Sequence, residues 1–305
     1  MVNKLLFKQM DVFTSKPFKG NPVAVVNCMD ISEDEISSET MLSIANWTNL
    51  SETTFLFKPT DPTKSNYKLR IFTPANELPF AGHPTIGSCK AYLQFTDQIQ
   101  TLKYIRQECE VGIIDLVSDV DTGIISLKAE KTDLDKLEAD VVKLYQESLT
   151  NNGKPIKPID SPYVLHVGPE WVVFLVEDSE TCYNANPDFG KMAEISLKYG
   201  HSGIILAGKK SKFDENSSVL EMEMRAFVPA YNVNEDPVCG SGSIALIRYL
   251  QQKYNFSKTT RINISQGGRM TREGHIYAEI KVTSDGISYH CGGDALCVVD
   301  GVINV

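Results

Sequence analysis

The sequence predicts an α+β fold of two similar, pseudo-two-fold related domains, each a mixed or antiparallel β-sheet wrapped around a helix. Three observations predict it. The chain has 305 residues, a length for which two domains are the default expectation. One series of motifs occurs twice in the same order. Short β-branched runs alternate with only a few helical stretches, which argues against a doubly wound sheet.

The elements of the first copy follow one another along the chain. "GNPVAVV" (20–26) is a glycine and proline turn into a β-branched strand, and "MLSIANWTNLSETTFLF" (41–57) reads as an amphipathic helix, a polar break and a strand. "RIFTPANELPFAGHPTIGSCKAYL" (70–93) then gives an arginine-led strand, a small-residue turn and an apolar helix. The second copy runs "GPEWVVFLV" (168–176), "MAEISLKYGHSGIILAG" (192–208) and "RAFVPAYNVNEDPVCGSGSIALIRYL" (225–250). Both third segments open Arg-x-Phe-x-Pro-Ala, and the second carries a short insertion before its turn. Three matches in order exceed what chance supplies, and the period is too long for a solenoid. The expected domains are residues 1–128 and 129–305, with the final strand free to return to the first domain. The charged, poorly periodic run 128–158 is the expected linker, in part helical.

Composition narrows the function. Hydrophobic residues make up 42% and charged residues 23%, as in an ordinary globular protein. The net charge of −9 and the lack of a lysine and arginine block give no nucleic-acid footprint. The opening "MVNKLLFKQMDVF" has too short an apolar run for a signal peptide, and runs such as "WVVFLV" are strand-sized, so no membrane span is expected. The seven cysteines include no Cys-x-x-Cys pair, which disfavours a disulfide framework or a zinc site and favours a reducing cytoplasm.

The two glycine turns draw attention because each opens a helix. The first N–H groups of a helix have no intrahelical partner and carry the positive end of its dipole. Gly82, His83, Pro84 and Thr85 fill the first turn of one helix, and Gly240, Ser241, Gly242 and Ser243 that of the other. Pro84 suits its place because it lacks an N–H. Either start can be a plain cap or can hold a carboxylate. In two equivalent halves packed about a pseudo-two-fold axis, both can point into one cleft. A P-loop is excluded, since neither turn has Gly-Lys-Ser/Thr, and the spacing fails a Rossmann fingerprint.

Four ionisable residues stand near these turns. Glu52 follows a helix end and lies between Leu50 and Phe55, where desolvation would raise its pKa into the range useful for proton transfer; the alternative is a solvated loop glutamate. His83 sits inside the first turn. Asp236 precedes the second turn as a cap or a catalytic group. Cys239, ahead of Gly240, is a small buried residue or a thiol whose pKa the helix start lowers.

Taken together, "MDVFTSKPFKGNPVAVV", "NLSETTFLF", "FTPANELPFAGHPTIG" and "EDPVCGSGS" closely resemble the PhzF-like family of phenazine-biosynthesis isomerases, within the diaminopimelate epimerase-like superfamily. The resemblance implies two domains, each a sheet around a central helix, with the active site between them, and neither metal nor organic cofactor. It implies a homodimer acting on a small carboxylate. The family's general acid/base glutamate falls on Glu52, its supporting histidine on His83, its aspartate on Asp236 and its glycine-serine pair on Gly240 and Ser241. Diaminopimelate epimerases instead place a cysteine ahead of each turn, where this chain has Ala81 and Cys239. The chain departs from phenazine enzymes at Cys239, where a threonine is expected, so Cys239 enters as a candidate second acid/base.

The function expected is therefore a cofactor-independent isomerase or epimerase that moves a proton at carbon, with Glu52 as acid/base. A non-catalytic small-carboxylate binder on the same scaffold and a cysteine hydrolase built on Cys239 are the alternatives.

Overall fold

The computed structural model describes residues 4–129, 132–210, 219–231 and 233–305. Positions 1–3 of the opening run, 130–131 of the charged run and Asn232 of the second repeat lie outside the described residues. The chain divides into two compact units, Met1–Leu127 with Gly292–Val305, and Lys128–Cys291.

The first unit contains β1 (Lys4–Val12), β2 (Asn21–Asn27), α1 (Ser38–Thr48), β3 (Thr53–Phe57), β4 (Tyr67–Phe72), β5 (Glu77–Leu78), α2 (Gly82–Phe95), β6 (Tyr104–Cys109), β7 (Gly112–Ser118) and β8 (Ile125–Lys128). In its sheet β1 pairs antiparallel with β2, β2 parallel with β3, β3 antiparallel with β4 and β4 parallel with β6. β7 follows antiparallel to β6, and β8 antiparallel to β7. Each parallel pair needs a crossover, and α1 and α2 supply the two. The final strand, β21 (Ala295–Asn304), pairs antiparallel with β1 and so belongs to this unit.

The second unit repeats the plan. Its elements are β9 (Asp133–Lys136), α3 (Ala139–Ser148), β10 (Leu149–Asn151), β11 (Lys154–Pro155), β12 (Tyr163–His166), β13 (Glu170–Val176), α4 (Ser179–Tyr183), β14 (Asn186–Pro187), α5 (Phe189–Tyr199), β15 (Gly203–Lys209), β16 (Val219–Val228), β17 (Val233–Asp236), α6 (Gly240–Tyr254), β18 (Thr260–Gln266), β19 (Gly274–Thr283) and β20 (Gly286–Gly293), the last crossing the division between the units. The pairings β12–β13 antiparallel, β13–β15 parallel, β15–β16 antiparallel, β16–β18 parallel and β18–β19 antiparallel match β1–β2–β3–β4–β6–β7 sense for sense. β9 flanks β12 as β21 flanks β1, both antiparallel. The motif repeat is thus a repeat of structure.

A helix is wrapped by strands in each unit. α2 is buried from His83 to Cys89 and again from Ala91 to Leu93, with contacts to β1, β2, β3, β4 and β21. α6 packs against β12, β13, β15 and β19. A helix buried on all sides has no polar face, which explains the near-continuous apolar and small residues of both. α1 covers the opposite sheet face, over Val26, Phe55, Phe57 and Phe72. In the second unit α3 and α5 do the same over Val172, Phe174, Ile204 and Leu206.

The run 128–158 is a correction. Rather than a linker, its described part is folded into the second unit as β9, α3, β10 and β11. Val141 and Tyr145, four residues apart, place one face of α3 in the core beside Leu137 just ahead of the helix, while the charges of the helix lie on the other face. Among the described residues no helix is long and apolar enough to cross a membrane.

Candidate active site

Glu52 is placed by a helix stop and a strand start. α1 ends at Asn49, whose left-handed φ of 54° turns the chain out of the helix. The backbone carbonyl of Glu52 accepts from the Ala24 N–H of β2 at 3.4 Å, and β3 begins at the next residue. Thr54 then meets Ser88 of α2, hydroxyl to hydroxyl, at 2.8 Å, which ties the strand to the helix that carries His83.

His83 is the second residue of α2 and is 8% exposed. Its Nε2 lies 3.3 Å from Glu52 Oε2, and the Glu52 side chain keeps only 15% of its surface. Glu52 Oε2 itself is covered, and the approach lacks the alignment of a hydrogen bond. Burial drives the Glu52 carboxyl up from 4.5 to about 7, against a smaller downward pull from the Ser51 hydroxyl. Leu50 is half-buried, and Phe55 lies fully in the core edge-on to Phe72. The Glu52 carboxyl can therefore hold or release a proton near neutral pH.

The start of α2 is more occupied than the sequence suggests. The Thr85 N–H donates to the Ala81 carbonyl at 3.2 Å, and Pro84 has no N–H, so at most the N–H groups of Gly82 and His83 can face a ligand. The Thr85 hydroxyl turns inward and accepts from Gln107 at 3.1 Å. No side chain caps this helix, since its N-cap is Ala81.

The second turn lies in the other unit. Cys239 is the N-cap of α6, and its Sγ accepts the Gly242 N–H at 3.3 Å. Gly242 admits the close packing of this turn on β15, where a Cβ would meet Ile205 Cδ1 at 2.4 Å. Ser243 closes on the Gly240 carbonyl at 2.6 Å. Asp236, half-buried, is not the helix cap: its Oδ1 accepts the Val238 N–H at 3.0 Å, and its carbonyl accepts from Gln266, which also holds the Cys239 N–H. The expectation of a lowered Cys239 pKa is overturned. Burial, with the Asp236 charge beside it, pushes the thiol well above its usual 9.0 and outweighs the helix start.

Two further contacts were not foreseen. Ser51 touches Glu52, and the Trp171 indole donates to Ser241 Oγ at 3.1 Å. Neither lies in a motif with obvious chemistry. Among the described residues no group of three or more His, Cys, Asp or Glu is arranged to hold a metal ion.

The family model for phenazine biosynthesis-like proteins matches residues 10–301. The chain belongs to that family. A relative from Schizosaccharomyces pombe, antisense-enhancing sequence 1, is 35% identical over 97% of each chain. The trans-2,3-dihydro-3-hydroxyanthranilate isomerase of Pseudomonas chlororaphis is 29% identical over 90% of each. Among solved structures, the phenazine biosynthesis protein of the PhzF family from Bacillus anthracis superposes with a TM-score of 0.81 at 20% identity, covering 99% of this family member and all of that chain. The two-domain epimerase-like α+β architecture is shared with it.

Proposed function

We propose that this PhzF-like isomerase moves a proton between carbon atoms of a small carboxylate, with Glu52 as the group that removes and returns it. The observation that carries the reading is the desolvated Glu52 carboxyl, raised to about 7, with His83 Nε2 at 3.3 Å. A base works best when its pKa lies near the working pH, because it is then ionised yet still basic.

In the first step the Glu52 carboxylate takes the C–H proton, and the bonding electrons spread into the substrate as an enolate-like system. In the second step the Glu52 carboxylic acid returns that proton to another carbon, so nothing is consumed. His83 supports the carboxyl in both states. In each unit a helix start, at Gly82 in the first and at Gly240 and Ser241 in the second, offers backbone N–H groups of the kind that hold a carboxylate or a developing charge. Pro84, Thr85 and Gly242 shape the turns, and Asp236 braces the second. The raised Cys239 pKa favours a neutral thiol, so Glu52 serves both steps and a thiolate hydrolase is disfavoured. A homodimer, checked by sedimentation, belongs to the same reading.

The test is turnover of a panel of small carboxylates that includes trans-2,3-dihydro-3-hydroxyanthranilate, on which the Pseudomonas chlororaphis relative acts by name. Glu52→Gln keeps the side-chain shape but cannot carry a proton. Turnover is expected to fall by roughly two to four orders of magnitude with binding retained. Undiminished turnover in Glu52→Gln would contradict the assignment.

A further inference from the structure

We propose that Trp171 is a positioning residue that presents the Ser241 hydroxyl to the substrate's carboxylate. This rests on the reading of the α6 start as a carboxylate holder.

Trp171, the second residue of β13, is 3% exposed. Its strand neighbour in register is Gly203, and a Cβ there would lie 3.2 Å from the ring's Cζ3 and 2.0 Å from the Phe227 carbonyl oxygen. The glycine thus leaves room for the ring, which delivers its N–H to Ser241 Oγ at 3.1 Å. An indole N–H can only donate, so it fills a lone pair of the serine oxygen and cannot receive the serine hydrogen. That hydrogen must go elsewhere.

A serine at a helix start is often consumed as the cap. Here Cys239 holds that position, with its Sγ already accepting from Gly242 at 3.3 Å. The remaining neighbour of the hydroxyl is the same sulfur at 3.6 Å, a weak acceptor at long range. A carboxylate oxygen is a much stronger acceptor and would take the hydrogen. The half-buried setting of Ser241 leaves a side open for it. The first unit lacks this device: its equivalent strand residue, paired with Thr53, is Ala24, and its second helical residue is His83.

The chain has two tryptophans, and Trp47 is 82% exposed, so the two indole N–H resonances report separately on surface and site. The full chain is titrated with benzoate while both resonances are followed. The Trp171 resonance is expected to move saturably and that of Trp47 to stay. Ser241→Ala should weaken benzoate binding by roughly tenfold or more, and Trp171→Phe by roughly three- to tenfold. The double variant should be little weaker than Ser241→Ala alone, because both changes remove one device. Ser241→Ala leaves the ring packed, so it carries the test even where the phenylalanine variant folds poorly. Wild-type affinity in Trp171→Phe, additive losses in the double variant, or a Trp171 resonance that benzoate never moves would each overturn the proposal. The Glu52 reading is tested separately, by turnover of Glu52→Gln.

Discussion

The two units carry one scaffold and two different chemistries. Arg70 forks onto Glu77 at 2.7 and 2.6 Å, and Arg225 forks onto Glu235 at 2.9 and 2.7 Å. Each guanidinium also lies near a phenylalanine two residues on, Phe72 or Phe227. Each unit then starts a buried helix at a glycine. Directly before the parallel strand, however, the first unit has Glu52 and the second Ser202; at the second helical residue they have His83 and Ser241. The scaffold fixes where a side chain stands, and its identity decides what the position offers: a carboxyl raised to about 7 at Glu52, a hydroxyl at Ser202 and Ser241. The first unit has Glu52 beside His83, while the second has serines at both positions and an indole, Trp171, on the neighbouring strand where the first has Ala24.

The ion pairs sharpen this comparison most. Arg225 and Glu235 are 5% and 9% exposed, against 16% and 32% for Arg70 and Glu77. Removing one member of a buried pair leaves the other charge without its partner, at about 3–5 kcal/mol, whereas an exposed pair is worth about 1 kcal/mol or less. Arg225→Met should therefore cost about 3–5 kcal/mol in urea denaturation and Arg70→Met, between the two limits, clearly less. Equal losses would mean that the two halves are braced alike.

The Glu52 carboxyl gives a pH signature with no counterpart at Ser202. Its folded pKa of about 7 lies above 4.5, so the folded state holds this proton across that window and the unfolded state does not. The contribution to stability is full below pH 4.5 and is lost as pH rises through 7, a change of about 3 kcal/mol. Glu52→Gln lacks this term. Its stability relative to wild type should rise by about 2–4 kcal/mol between pH 4.5 and 8. Parallel stability curves for the two proteins would place the carboxyl in a solvated setting.

Cys239 should matter least. A thiol that caps a helix and stays protonated is replaced by serine, itself a good cap, with a loss in turnover of less than about tenfold. Reaction with iodoacetamide at neutral pH should be slow, since the buried thiol is held well above 9.0. A Cys239→Ser loss as large as that of Glu52→Gln would instead make the second half a partner in proton transfer.

Much of this was legible in the sequence. The glycine turns, the β-branched runs and the doubled order carry the two-fold plan because buried helices and strands require those residues. Glu52 stood out because it sits at a helix stop between apolar residues. What was not legible depended on partners distant in sequence. Val141 and Tyr145 mark one face of α3, but the surrounding charges obscure it until the core they enter is known. Helix polarity predicted an acidic Cys239, yet complete burial in the folded unit prevails. The Thr85 hydroxyl turned inward because Gln107, on β6, waits for it. Trp171 became visible only through its register with Gly203.

The central claim is that Glu52 carries the proton. It is tested most directly by running the isomerisation in deuterium oxide with wild type and Glu52→Gln, and reading deuterium in the recovered carbon framework by mass spectrometry. Wild type should place solvent deuterium at the carbon that receives the proton, and Glu52→Gln should leave the framework unlabelled over the same time. Labelling by Glu52→Gln at the wild-type rate would contradict the account and move the proton to another carrier, Cys239 or Asp236.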